Sequence, residues 1–176
     1  MMISVQSYHS PVGELILGEF QEQLCLCDWK YRKQRDQIDA RIQKGLNTTF
    51  LEQNSETLEQ VKFQLDEYFD KKRTIFDLPL LFVGTDFQKS VWEALMEIPY
   101  GKTKSYLELA QLLGDEKAIR AVATANGANA ISIIVPCHRV IGSDGSLTGY
   151  AGGLNAKKKL LQLEGMQFGD QLSLFE

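Results

Sequence analysis

Residues 131–140 read Ile-Ser-Ile-Ile-Val-Pro-Cys-His-Arg-Val, and no other stretch constrains the fold as tightly. The apolar run Ile133-Ile134-Val135 reads as a short buried segment. Pro136 has a fixed φ and no N–H, and it pushes Val135 toward an extended conformation. The chain therefore breaks inside its own core and presents Cys137, His138 and Arg139 there. A thiol on so stiff a support is well placed for a nucleophile and oddly placed for an ordinary core cysteine.

At neutral pH a thiol is mostly protonated and needs help to attack. His138 is adjacent, but neighbouring side chains on an extended backbone point opposite ways. Contact would need a bridging water or a turn. A papain-like protease takes its histidine from far along the chain, and a tyrosine-phosphatase loop has His before the Cys and Arg six residues after it. A zinc site needs more Cys or His than the chain has. An inert buried cysteine remains the alternative on these residues alone.

The chain of 176 residues is long enough for one domain or two small ones. No apolar run approaches the roughly 18 residues of a membrane span, and the N-terminus has no signal-peptide pattern. Three cysteines (Cys25, Cys27, Cys137) do not make a disulfide framework and fit a reducing, cytosolic compartment. The net charge of −4 is unevenly spread: residues 1–100 balance at −5, whereas residues 101–160 carry eight basic and four acidic side chains, +4. The basic part contains the cysteine, which is a weak sign of a polyanionic partner and equally compatible with a solvated face.

In chain order, residues 2–29 predict a β-meander. Cys25 and Cys27 share one face of its last run and read as buried small hydrophobes. Residues 30–50 predict a loop with some short helix. A helical stripe of Leu58, Val61, Leu65 and Tyr68 follows, then a strand at 74–81 interrupted by Pro79. Gly84 is a plausible hinge. Thr85 or Asp86 caps a helix through Phe87, Val91, Trp92 and Leu95. Ser105-Tyr106-Leu107-Glu108 is a capping box opening a helix that closes at Gly114. A third helix is expected at 117–126, with Gly127 as the residue after its end. Two short helices around a glycine-containing turn read as a helix-turn-helix. The third helix carries small side chains apart from Arg120, so it could approach another surface closely and use that arginine as a probe. Asp144-Gly145 between apolar residues predicts a hairpin. A glycine-rich loop at 148–153 reads as a flexible pocket wall. A last helix is expected at 154–163, with Leu160, Leu161 and Leu163 toward the core.

Val135-Pro136-Cys137-His138-Arg139-Val140 resembles the active-site signature of the O6-alkylguanine-DNA alkyltransferases, also called methylated-DNA–protein-cysteine methyltransferases. The likeness extends through Asp86-Phe87-Gln88, Ile98-Pro99-Tyr100-Gly101-Lys102-Thr103, Ser105-Tyr106, Ala118-Ile119-Arg120-Ala121-Val122, Gly149-Tyr150-Ala151-Gly152-Gly153 and Leu163-Glu164-Gly165. It covers essentially all of 85–165. Ser10-Pro11-Val12-Gly13 carries a looser likeness in the N-terminal part.

The resemblance implies an α+β protein: an N-terminal RNase H-like α/β scaffold domain (1–84), then a mainly helical domain with a helix-turn-helix that binds DNA and accepts the alkyl group (85–176). It implies single-turnover repair, in which Cys137 takes the alkyl group from O6-alkylguanine and keeps it; O4-alkylthymine is a further candidate substrate. Glu164 would orient His138, which acts through a water on Cys137. Asn129 would brace the active-site turn. Tyr106 would donate a proton to the departing guanine, and Arg120 would fill the stack after base flipping. The pocket would comprise Tyr106, Pro136, Val140, Tyr150, Ala151 and Gly152. The DNA-binding set would be Arg120, Ala121, Ser105, Thr124, Ala125 and Gly127. The implied partner is double-stranded DNA containing O6-alkylguanine, met by a cytoplasmic monomer without metal, cofactor or membrane. Two departures stand out: Ala130 where the family often has proline, and Ala151 where some relatives have serine. A lesion-binding protein that flips the base without repair is the alternative, and the presence of Cys137 counts against it.

Overall fold

Two tight turns fold the first thirty residues back on themselves. Gln21 and Glu22 both take positive φ (51° and 65°), the two-residue loop whose twist matches a hairpin. Gly13 closes the other turn at φ 145°, where a Cβ would lie 3.1 Å from the Trp29 ring. The results are β1 (Ile3–Ser10), β2 (Gly13–Phe20) and β3 (Gln23–Trp29). A short β4 (Phe50–Glu52) joins β1 in parallel, giving the order β3-β2-β1-β4.

The computed structural model describes residues 1–168 and separates a first unit, Met1–Gly84, from a second that begins at Thr85. Residues 169–176, which the expected second domain includes, lie outside the described residues. Among the described residues no helix is long and apolar enough to cross a membrane.

The first unit is a mixed sheet with helices α1 (Arg35–Leu46) and α2 (Glu56–Phe69). Its core joins Ile3, Leu15, Leu17, Leu24 and Leu26 from the strands with Leu58, Val61, Leu65 and Tyr68 from α2. Ser55 caps α2 by accepting from the Leu58 N–H. Cys25 and Cys27 are both buried, and burial pushes both thiols up, Cys25 to about 12.

Two expectations change here. The segment 30–50 contains the 12-residue helix α1 rather than a loop with short helix. Only Ile38 and Ile42 on it are buried, one turn apart, so the apolar period is too brief to register against the charged remainder. The strand expected at 74–81 reduces to one parallel bridge, Leu24 to Leu80. Pro79 accepts from the Leu24 N–H (2.8 Å) but has no N–H to extend a ladder.

The second unit opens with α3 (Asp86–Leu95), whose Thr85 and Gln88 form a reciprocal capping box. Trp92 donates its indole N–H to the Ala125 carbonyl at 2.8 Å. A second capping box, Ser105 with Glu108, starts α4 (Tyr106–Leu112). Gly114 (φ 85°) turns the chain. A 3-10 turn, Glu116–Ala118, then leads into α5 (Ile119–Gly127). The α4–turn–α5 pair is the helix-turn-helix. Gly127 is the last residue of α5, and Ala128 caps it in right-handed geometry, so no left-handed glycine ends this helix.

The Asp144-Gly145 turn closes, with the Gly142 N–H reaching the Ser146 carbonyl at 2.9 Å. It does not join a hairpin. The strand before it, β6 (Val140–Ile141), pairs in parallel with β5 (Lys104–Ser105). Helix α6 (Leu154–Leu163) ends at Glu164 and Gly165 (φ 99°). Leu160 and Leu161 are buried, whereas Leu163 is half-buried.

Candidate active site

The run before Cys137 is buried throughout but coiled. The Val135 N–H donates to the Ile131 carbonyl (2.9 Å) and the Ile134 N–H to the Ser132 carbonyl (2.8 Å). Ile133, between the last two, has φ 72°. A β-branched residue there costs on the order of 1–3 kcal/mol and needs support. Asn129 supplies it. Its amide N–H groups reach the carbonyls of Val135 (2.9 Å) and Ile131 (3.4 Å), and its Oδ1 accepts from the Ile131 N–H (2.9 Å).

Cys137–Arg139 then forms one 3-10 turn. A turn of three residues spreads successive side chains by about a third of a circle, so Cys137 and His138 are not on opposite faces as a strand would place them. Both are buried, Cys137 at 4% and His138 at 0% exposure.

Glu164, at the end of α6, meets this turn. His138 Nε2 lies 2.7 Å from Glu164 Oε2. A carboxylate only accepts, so Nε2 carries the proton and Nδ1 keeps its lone pair. Nδ1 is buried and has no hydrogen-bond partner among the described residues. Burial pushes His138 below its ordinary pKa against the pull of Glu164, which keeps the ring neutral. Burial alone would raise the Glu164 carboxyl, but the His138 hydrogen bond and the Arg139 guanidinium outweigh it and hold the group ionised.

Arg139 forks onto Glu164 through Nε (2.8 Å to Oε1) and Nη2 (3.1 Å to Oε2), and its Nη1 donates to the Ile98 carbonyl at 2.7 Å. The Gly101 N–H adds a contact to Oε1 at 3.3 Å. Arg139 was not among the expected site residues. Its place directly after His138 was the available signal.

Lys157 was missed as well. Within Lys157-Lys158-Lys159 it read as part of a solvated basic face, yet its exposure is 0%. Its ammonium donates to the carbonyls of Val140 (2.6 Å), Thr148 (3.1 Å) and Gly149 (3.3 Å). Burial pulls its pKa down to about 8, opposed by Cys137. With Arg139 also buried, two of the eight cations counted in the basic part are internal, which weakens the charge argument.

Tyr106 is half-buried and donates its hydroxyl to the Thr148 carbonyl at 3.1 Å. Burial raises its pKa. The Tyr150 ring stands edge-on to His138 at 6.5 Å, and Pro136 and Val140 are buried beside the cysteine turn. Ala151 and Gly152 are half-buried in the following loop. Arg120, Ala121, Thr124 and Gly127 are exposed and fall along one face of α5. Two expected DNA contacts do not join them. Ala125 is 2% exposed and its carbonyl is taken by Trp92. Ser105 is buried, with its hydroxyl spent on the Glu108 N–H.

Comparison with known proteins covers both units. Residues 86–166 match the model for the 6-O-methylguanine DNA methyltransferase DNA binding domain, and residues 3–82 match the model for its ribonuclease-like domain. A methylated-DNA–protein-cysteine methyltransferase of Methanosarcina barkeri is 48% identical over 155 residues, 88% of this chain and 92% of the relative. One from Mycobacterium leprae is 44% identical over 178 residues, 99% and 100% of the two chains. A crystal structure of Mycobacterium tuberculosis OGT in complex with DNA superposes with a TM-score of 0.79 at 40% identity, covering 98% of this chain and 99% of that one.

Proposed function

The chain belongs to the O6-methylguanine DNA methyltransferase family, and on that premise we propose that it repairs DNA by moving the alkyl group of O6-alkylguanine irreversibly onto Cys137, once per molecule. The activity is that of a methylated-DNA–[protein]-cysteine S-methyltransferase. The observation that carries the residue assignment is His138, with Nε2 committed to Glu164 and Nδ1 left as an unshared base next in sequence to the thiol.

The thiol proton passes through a bridging water to His138 Nδ1. The sulfur attacks the alkyl carbon, the carbon–O6 bond breaks, and guanine leaves with a proton supplied by Tyr106. A new carbon–sulfur bond remains, so no second turnover follows. Glu164 and Arg139 hold the imidazole in place. Asn129 and Lys157 act as positioning residues for the cysteine turn and for the 148–149 wall.

A thiol in a protein pocket cannot reach O6 inside a duplex, so the nucleotide must be extruded, at a cost on the order of a few kcal/mol. The exposed face of α5 offers small residues for close approach and Arg120 for the vacated stack. Contacts of this kind are mostly to the backbone, and little sequence preference follows. The first unit serves as scaffold and the second as DNA-binding and acceptor domain. None of the three cysteines is in a disulfide, which suits a reducing, cytoplasmic setting.

The test is intact mass after incubation with an O6-methylguanine duplex. One methyl on Cys137 with no further turnover supports the proposal. Binding without any mass gain would favour a lesion binder, and transfer surviving in Cys137→Ala would defeat the assignment.

A further inference from the structure

The last ten residues, Gln167 to Glu176, read Gln-Phe-Gly-Asp-Gln-Leu-Ser-Leu-Phe-Glu. The family model ends at residue 166, and α6 has already closed at Glu164 with Leu160 and Leu161 packed. Beyond that boundary the sequence places Leu172, Leu174 and Phe175 within four positions, preceded by Gln171. Segments that stay in solvent are poor in large apolar and aromatic side chains, so this cluster asks for a binding surface.

DNA is a poor one. The ten residues carry Asp170 and Glu176 and no lysine or arginine, and phosphates repel such a segment. The same acidity and the lack of lysine or arginine argue against an anionic lipid surface. A protein groove remains, with adjoining apolar pockets for Leu172 and for Leu174-Phe175 and a polar rim for the Gln171 amide.

We propose that Gln171-Leu172-Ser173-Leu174-Phe175 is a linear docking motif for a protein that rides on duplex DNA, namely the ring-shaped sliding clamp of replication. The choice of partner rests on the reading that this chain works on duplex DNA with little sequence preference. A weak peptide contact to a ring already threaded on the duplex makes the second contact, between α5 and DNA, intramolecular. Linkage of that kind raises overall affinity by roughly 10²–10⁴-fold without any new contact. Four residues, Gln167 to Asp170, separate the family domain from the motif, a reach of at most about 14 Å, so the acceptor domain would be held close to the ring.

The experiment measures binding of the full chain to a purified bacterial sliding clamp by calorimetry, beside the Phe175→Ala and Leu172→Ala variants. Saturable binding is expected, weakened on the order of 30-fold in Phe175→Ala, as for an aromatic anchor. Methyl transfer from a short O6-methylguanine duplex without clamp should be equal in all three, so a failed repair reading would show separately. No binding to the clamp, or equal affinity of wild type and Phe175→Ala, overturns the proposal. So does a Tm lowered by Phe175→Ala with clamp binding unchanged, which would mean that the segment packs on its own chain.

Discussion

Two buried carboxylates, one in each unit, are clasped by cations in similar ways and do different work. Asp28 is fully buried and meets Arg32 and Arg35, each at 3.0 Å. Those arginines lie four and seven residues on, and both have further partners: Arg32 the Gln34 side chain, Arg35 the Asp39 carboxylate and the Trp29 carbonyl. Glu164 is equally buried, but its partners His138 and Arg139 come from about 25 residues earlier. One of them, His138, keeps a ring nitrogen unused. The first cluster spends its hydrogen bonds on holding the fold. The second keeps a buried imidazole nitrogen, His138 Nδ1, without a hydrogen-bond partner, on the residue next in sequence to Cys137. A guanidinium nitrogen can only donate, whereas the open Nδ1 of a neutral imidazole can accept a proton, and this sets the second cluster apart.

The largest effect should come from Glu164→Gln. It breaks a buried pair and releases the imidazole, so transfer should slow by roughly 10²–10⁴-fold and stability should fall by about 3–5 kcal/mol. Single-turnover kinetics with urea titration would measure both. Asp28→Asn should cost a similar ~3–5 kcal/mol while the folded fraction transfers methyl at the wild-type rate; a slowed rate would erase the contrast between the clusters.

Lys157→Met keeps the volume and loses three charge-assisted hydrogen bonds, so transfer should slow roughly tenfold at pH 7. The Lys157 ammonium is lost above about pH 8. The ratio of wild-type to variant rate should therefore shrink between pH 7 and 9. A constant ratio would remove Lys157 from the site.

His138 must be neutral to accept a proton, and burial lowers its pKa from 6.5. The rate should hold its plateau through pH 6.5 and fall only at lower pH, as the ring protonates. A drop beginning above 6.5 would mean that Glu164 outweighs burial. Arg120→Ala should have the narrowest effect, slowing transfer from duplex while leaving transfer from free O6-methylguanine unchanged. Equal losses on both substrates would sink the stack-filling role.

What the sequence disclosed follows from range. The Ser105/Glu108 capping box was legible because it is complete within four residues, and the start of α3 was legible as a cap at Thr85 or Asp86, of which Thr85 is the one used. The stiff support of Cys137 was legible because Pro136 acts on its neighbour. The Asp144-Gly145 turn was legible too, but not the fate of its flanks, since Val140 pairs with Lys104, 36 positions away. Helix α1 was hidden because two isoleucines suffice to seat it. The burial of Lys157 was hidden because three carbonyls from separate stretches solvate it, and carbonyls carry no side-chain signature. Glu164 and Asn129 came from resemblance, since neither spacing nor period marks them.

The chain has two tryptophans, and the fold assigns Trp29 to the first unit and Trp92 to the second, each nearly fully buried. The molecule thus carries one indole emitter per unit, excited selectively at wavelengths where the six tyrosines do not absorb. Trp92 is tied to the carbonyl of Ala125 on the helix that bears Arg120, so its emission should register any displacement of that helix. Trp92→Phe leaves a chain whose indole emission comes from the sheet alone. Comparing the two spectra through a denaturant titration would separate the melting of the first unit from that of the second without an added label.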